Sequence, residues 1–552
     1  MIKSNNMKKI KFIALLVVFS FSVSCESFLE EENIANVASA SYYPTPAGLE
    51  DAVKATYGIM KEFYGPEIGW TMNVFGTDTY TEGADGSHKY LNRYDASHNS
   101  SKRYFRDTWR IFYQGINQAN AVINRAAEVE GVSESDKAIR VGEAKFLRAL
   151  YYFNLVKYYG DIHLSLEETL GVEIEANKTP ASEIYNQAII PDLEAAISSL
   201  PATQSDYGRA TKAAAEFLLA KVLMTRSYQG GGASDATRAE ALMTSVISNY
   251  GFSLLDSHKD MWEINNEANS EFIFTVQNSK SQVDEGQDGY GHRGHLYFLM
   301  EYDKKPGMTR DTPNGRPWKR FRPTNHTLGL YDRTIDNRYD QTFKHVWYAN
   351  KPGAIPNLNV GDTALYIPGP GVNRYGINQD AYWTDDKKSG VVYQVYTSGD
   401  LSNRTFPSLN KWIDPTRPNR QHTQGQRDFV LMRLADAYLI RAEAKLAQGD
   451  KAGAADDINV IRERAAWDGK EADMLITAAD VNIDFILDER GRELLGEGHR
   501  WFDLVRTGKL LERVKLHNDQ ASGNIQSHHV LRPIPLDQID RTQGGYGQNP
   551  GY

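Results

Sequence analysis

Apolar residues recur at helical spacing in two blocks, separated by a stretch from about 251 to 426 that lacks the pattern, and this split most constrains the fold. In the first block Leu49, Val53, Tyr57 and Met60 predict a helix from Pro46 to Tyr64, and another is expected over about 101–130. Ser133 with Asp136 supplies an N-cap and a first-turn acid for a helix whose stripe is Val141, Ala144, Leu147, Tyr151, Leu155 and Tyr158, and which Gly160 stops. Thr179 as N-cap and Pro180 at the first position open a helix over 181–200, and further helices follow over 211–228 and 237–249. Periodicity returns at Arg427 with Leu431, Leu434, Tyr438, Ala442 and Leu446, and a Gly449-Asp450 turn leads into a partner helix through Arg464. Between the blocks Gly and Pro are dense, as in Gly369-Pro370-Gly371, and only short runs such as Phe272–Val276 and Val391–Tyr396 read as strands. The expected class is mainly α: tetratricopeptide-like helix pairs over about 46–250 and 427–552, carrying a large loop-rich insertion over about 251–426. Loops held on a rigid scaffold are where binding concentrates.

The 552 residues contain one Cys, which excludes an internal disulfide framework and any zinc-finger or CxxC redox site. Its position suggests a use. Lys3, Lys8, Lys9 and Lys11 precede an apolar run from Phe12 to Val23, too short for a membrane-spanning helix of about 20 residues, so residues 1–24 read as a signal peptide. The run ends in Ser22-Val23-Ser24-Cys25, the small-residue arrangement of a lipoprotein signal, although Ser22 stands where the strict motif has Leu. Cys25 is therefore the expected lipidation site, with 25–45 a lipidated linker and 46–552 a single domain. Glu26, Glu30, Glu31 and Glu32 resemble the acidic export tag of surface-exposed lipoproteins in the Bacteroidetes; a plain solvated linker is the alternative.

Charge and motifs narrow the function. A formal charge of -9 argues against a nucleic-acid partner, which needs a basic face. The chain contains no HExxH, GxSxG or P-loop, and His528-His529 lack a spaced third ligand, so no catalytic residue, metal site or cofactor is assigned. Glu489 and Glu493 are four apart on one helix face with Arg492, Arg500 and Arg506 nearby, where ion pairing is the expected use rather than the open carboxylate pair of a glycosidase.

Several segments in order carry a resemblance: Trp109, Asn117, Ala119 and Asn120; Glu143 to Ala149; Arg433 to Leu439 with Ala442-Glu443-Ala444; Asp488 to Leu494; Glu497 to Arg506; Arg532-Pro533-Ile534-Pro535; and Gln548 to Tyr552. Together they resemble the SusD/RagB family of Bacteroidetes outer-membrane lipoproteins, from Cys25 to Tyr552. The resemblance implies a SusD-like helical scaffold, no enzymatic activity, and a partner: a SusC-like TonB-dependent outer-membrane transporter, to which a captured glycan is delivered. A peptide-binding RagB-like member is the alternative, and a surface glycoside hydrolase the remote one.

Aromatics are 11% of the chain, with 31 Tyr and 9 Trp, against a mean hydropathy of -0.53. A sugar ring buries its C–H face on Trp or Tyr while neighbouring polar groups bond its hydroxyls. Two loop regions are candidates: Trp70, Asp78, Tyr80, Tyr90, Asn92 and Tyr94, whose position resembles a ligand loop of the family, and, in the insertion, Tyr297, Tyr302, Trp318 and Trp383. Trp109, Trp262, Trp467 and Trp501 are assigned to structure, and Trp347 and Trp412 to neither role. The basic run Arg310, Arg316, Lys319, Arg320 and Arg322 surrounds Trp318; it reads as a solvated face, with an anionic sugar or an acidic transporter surface as the sharper alternative.

Overall fold

The computed structural model describes residues 42–278, 291–351, 353, 358–369, 394–396 and 398–552. Helix α1 (Pro46–Gly58) starts where the Thr45 hydroxyl accepts from the Gly48 N–H at 3.0 Å, with Pro46 in the first turn. A short helix, α2 (Glu67–Val74), and strand β1 (Tyr80–Glu82) follow. The two long helices α3 (Arg103–Arg125) and α4 (Glu134–Tyr159) then pack against each other; Ser133 caps α4 through the Asp136 N–H, and Gly160, at φ 73°, ends it.

An array of helices continues through α5 (Ile190–Ser199), α6 (Lys212–Arg226) and α7 (Gly232–Asn249), each packed on its predecessor. Thr179 is not the cap expected from sequence. Its N–H and carbonyl pair with Ile162, and the free Ala181 N–H is taken by Asp161 Oδ1 at 2.8 Å. The helix expected over 181–200 is broken by a π-turn at Tyr185–Ile189, because Pro191 has no N–H to give to the previous turn. The helix expected from 237 starts at Gly232.

The insertion contributes strands β2 (Phe272–Val276), β3 (Phe321–Pro323), β4 (Phe343–Lys344), β5 (Val346–Tyr348), β6 (Thr363–Tyr366), β7 (Gln394–Val395) and β8 (Ser408–Leu409). Of the strand expected at Val391–Tyr396, only residues 394–396 are described. β1 pairs antiparallel with β3, β4 with β8, and β5-β6-β7 form a small mixed sheet. The periodicity read from Arg427 onward is partly a strand: β9 (Phe429–Arg433) runs antiparallel to β2, and α8 (Leu434–Ala447) begins only after it. α7 packs directly on α8, so the helical array closes across the insertion as if it were absent. α9 (Lys451–Arg464), α10 (Ile483–Glu493), α11 (Arg500–Arg506) and α12 (Leu510–His517) complete the scaffold. The architecture is the mainly α, helix-pair scaffold with short strands in its insertion that the sequence predicted.

One large apolar cluster runs from Ile59 to Tyr546 through the helices, β2 and β9, and a smaller one, including Leu299, Tyr302, Trp347, Leu365 and Phe406, sits inside the insertion. No described helix is long and apolar enough to cross a membrane.

Candidate functional site

The structure sorts the sequence candidates by burial. Trp70 is on α2, not a loop, and its ring is enclosed by His292, Phe298, Trp412 and Phe429 at centroid distances of 5.0–5.5 Å. Tyr80, Tyr94, Tyr297 and Tyr302 are likewise buried. This corrects their reading as open stacking surfaces: each has more to gain from the apolar core than from solvent. Asp78 is also structural. Arg500 donates to its Oδ1 at 2.6 Å and Arg513 to its Oδ2 at 2.7 Å. Burial alone would raise the Asp78 carboxyl, but these two guanidinium groups hold it well below the usual carboxylate range. Asn92 accepts from the Gly76 N–H at 3.2 Å and from Asn518 Nδ2 at 3.0 Å, locking the loop rather than presenting an amide. Trp383 and Cys25 lie outside the described residues.

Tyr90 and Trp318 remain, both half-buried; of the residues linking them the sequence singles out Arg320 and Tyr297 but not Glu67, His88 or Tyr104. The link is Arg320, 1% exposed. Its Nε donates to Asp85 Oδ2 at 2.8 Å, its Nη1 donates to Glu67, and its Cζ lies 4.7 Å from the Tyr297 ring centroid and 5.9 Å from that of Trp318. Glu67 also faces His88 Nε2 at 3.4 Å. Burial raises the Glu67 carboxyl, but the His88 hydrogen bond and the Arg320 charge outweigh it and bring it down to about 2, so it is ionised at neutral pH. The His88 ring stacks on Tyr104 at 3.9 Å with 15° between planes, and stands edge-on to Tyr90 at 6.1 Å. Trp318 meets Tyr297 edge-on at 5.7 Å. The half-buried Trp318 and Tyr90 are thus linked through the buried Tyr297, Arg320 and Tyr104 and the partly exposed Glu67 and His88, beside a cleft of about 260 Å³ lined in part by Glu67, Arg103, Tyr104, Arg110 and Arg293.

The backbone beneath these residues is under strain. His88, Tyr94 and Lys319, at φ 52–57°, are the only described non-glycine residues in the left-handed region, each costing about 1 kcal/mol or more. Main-chain bonds hold the Lys319 turn in place: the Gly83 N–H donates to the Arg320 carbonyl at 2.8 Å and the Asp85 N–H to the Lys319 carbonyl at 3.1 Å. Gly83 is required here, since a Cβ would lie 2.2 Å from the Lys319 carbonyl oxygen.

Two larger grooves, of about 900 and 790 Å³, lie on the helical scaffold. Several of their polar groups are engaged internally. In the first, Arg209 is held by Glu50, Glu143 and Asp206, and the Tyr207 hydroxyl donates to the Glu267 carbonyl. In the second, Trp109 donates to Gln538, Asn117 accepts from the Thr169 N–H, and Asn120 accepts from Arg148. Around Trp318, Nε of Arg293 and of Arg316 are buried with no hydrogen-bond partner among the described residues, as is Thr275 Oγ1 in the first groove.

The carboxylates of α10 form no cleft. Arg338 donates to Glu489 at 2.7 Å and Glu493 at 3.1 Å, and Arg433 bonds Glu271, Glu493 and Glu497 at 2.7–2.9 Å, all of them buried. Ion pairing inside the scaffold is their use, as read from their spacing.

A scaffold of paired helices carrying a loop-rich insertion with short strands defines a class for which solved structures exist. A laminarin-binding SusD-like protein superposes with a TM-score of 0.68 at 25% identity, covering 92% of this chain and all of that one. A SusD homolog from Bacteroides thetaiotaomicron gives 0.73 at 20% identity over 93% of this chain and 98% of that one, a likeness of fold. A model described as SusD family matches residues 270–552, and one described as "Starch-binding associating with outer membrane" matches 27–224. The chain belongs to the SusD family. Among its relatives a SusD-like protein of Formosa agariphila is 27% identical over 98% of this chain and its own full length, and the starch-binding protein SusD of Bacteroides thetaiotaomicron is 26% identical over 77% of this chain and 75% of its own.

Proposed function

We propose that this chain is a glycan-binding receptor of the outer membrane, anchored through lipid on Cys25 and facing the cell exterior, that captures oligo- or polysaccharide and hands it to a SusC-like TonB-dependent transporter. It acts by binding, without chemistry. The observation that carries the reading is the half-buried Trp318 and Tyr90 pair, joined through Arg320, Glu67 and His88 into one face whose remaining donors, on Arg293 and Arg316, point at no protein acceptor among the described residues. Rings fixed this way lose little entropy when a sugar stacks on them. Starch and laminarin named for relatives support a glycan as the ligand class. Residues 1–24 would be removed as leader and 25–45 would tether the single domain 46–552 to the membrane.

Affinity electrophoresis of the mature chain through gels containing a panel of polysaccharides tests this. At least one polymer retards the protein, and W318A weakens that retardation about tenfold, equivalent to about 1.4 kcal/mol, with the melting temperature unchanged. Retardation by no polysaccharide, with binding of peptides instead, would replace this reading with the peptide-receptor alternative.

A further inference from the structure

If the face between Trp318 and Tyr90 is where a glycan binds, a reading on which the identity of the ligand depends, the charges around it name that ligand more closely. Every ring bordering the face has a cation over it: Lys102 Nζ is 5.5 Å from the Tyr90 centroid, Arg103 Cζ 5.7 Å from that of Tyr104, and Arg316 Cζ 5.7 Å from that of Trp318. A cation–π contact positions a charge and does not neutralise it. Arg103 has a carboxylate, Asp107 at 3.0 Å, which it shares with Arg106. Lys102 and Arg316 form no ion pair among the described residues; Arg316 donates to the Gln421 carbonyl. Burial and the nearby Arg310 lower the Arg316 pKa, as expected of a cation without a counter-charge.

Three others of the basic run are ion-paired. Arg310 pairs with Asp303 at 2.8 Å, Lys319 with Glu301 at 3.2 Å and Arg320 with Asp85 at 2.7 Å, while Arg322 is on β3 with Glu82 and Asp519 as its charged neighbours. At the other end of the face, α3 opens with Lys102 as N-cap and Arg103 at the first position, with no acidic residue in the first turn and no side-chain cap. That places two cations on the positive end of a 23-residue helix dipole, the reverse of the usual preference. On a chain of net charge -9 this is a local excess of positive charge beside the stacking rings.

We infer that the glycan taken by this face is anionic, bearing carboxylate or sulfate groups, with its sugar rings on Tyr90 and Trp318 and its charges on Lys102 and Arg316. A neutral sugar stacking on either ring displaces the cation above it and leaves that charge with nothing in return. An anionic sugar replaces the cation–π contact with an ion pair at the ring edge, so stacking and charge recognition reinforce each other.

Calorimetric titration of the mature chain with oligogalacturonate and its carboxyl-reduced form, and with a sulfated galactan oligosaccharide and its desulfated form, at low and high NaCl, tests the inference and separates uronate from sulfate. At least one anionic form binds tenfold or more tighter than its neutral derivative, and high salt weakens it several-fold. K102Q and R316Q each reduce that affinity about fivefold, without changing the melting temperature. Equal, salt-independent binding of charged and neutral forms, or binding of neutral laminarin oligosaccharides with neither anionic polymer bound, overturns the inference while the glycan receptor stands. Binding of no glycan in either charge state overturns both.

Discussion

Arg433 is the residue on which the buried electrostatics converge. One guanidinium, 1% exposed, meets Glu271, Glu493 and Glu497, and Lys411 shares Glu497 at 2.7 Å. Such a group adds little net stability over an apolar replacement of the whole cluster, but removing one cation strands several buried carboxylates. R433M is therefore expected to cost about 3–5 kcal/mol in urea unfolding; a loss below 1 kcal/mol would mean that water already reaches the cluster. The buried histidines set the acid side of the stability curve. His292, wedged between Trp70 and Trp412, has its pKa pushed down to about 3 by burial first and then by Arg427, so it is neutral in the fold. Its folded value lies below its unfolded value near 6.5, so the unfolded chain binds the extra proton as pH falls from about 6.5 to 3, and stability drops through that window. Glu67, held down to about 2, adds a second loss at lower pH, between about 4.5 and 2. Melting temperatures of wild type and H292N from pH 7 to pH 4 check this: the variant's curve is flatter, and parallel curves would exclude His292 as a source.

At the scale of elements, the α3–α4 contact shows what a single missing side chain allows. A Cβ on Gly115 would lie 2.6 Å from the Tyr151 ring, which is buried and pinned by its hydroxyl to the Thr56 carbonyl at 2.6 Å. Ala is the better helix former by about 1 kcal/mol, yet G115A is expected to destabilise by about 1–3 kcal/mol through overpacking. Thermal denaturation decides: a stabilised variant would show that Tyr151 can retreat. Elements also divide what the sequence discloses from what it conceals. α1 and α4 are legible because their information is local, in their apolar stripes and, for α4, the Ser133 cap and Gly160. β9 is not, since Phe429–Arg433 is a strand only because β2, some 150 residues earlier, offers an edge to pair with. α2 is hidden for a different reason: Ile68 to Val74 is buried on every side, so it has no periodic polar face. The site suffers most. Trp70 and Trp318 look alike in sequence, and only packing sends one to the core and leaves the other at the surface. His88 gives no local signal and Arg320 reads only as one member of a basic run, because their role depends on contacts with Glu67, Asp85 and Tyr104 made across the fold.

For the molecule as a whole, the main apolar cluster and the one inside the insertion predict unequal stability. The satellite cluster beneath β5 and β6 is small and lies within the insertion, whereas α4 is in the main core. Hydrogen exchange is therefore expected to be at least tenfold faster at the β5 and β6 amides than in the middle of α4, and equal protection would show one indivisible cooperative unit. The pairing of Asp78 has a further consequence. Its carboxyl is buried and waits for Arg500 and Arg513, 422 and 435 residues downstream, and β2 likewise waits for β9. Until Phe429–Arg433 has been synthesised β2 is an open sheet edge, and until Arg500 and Arg513 follow Asp78 has no guanidinium partner. Closing loops this long is slow, so the chain is poorly suited to folding segment by segment as it emerges. A product truncated before Arg500 would leave the Asp78 carboxylate without either guanidinium partner.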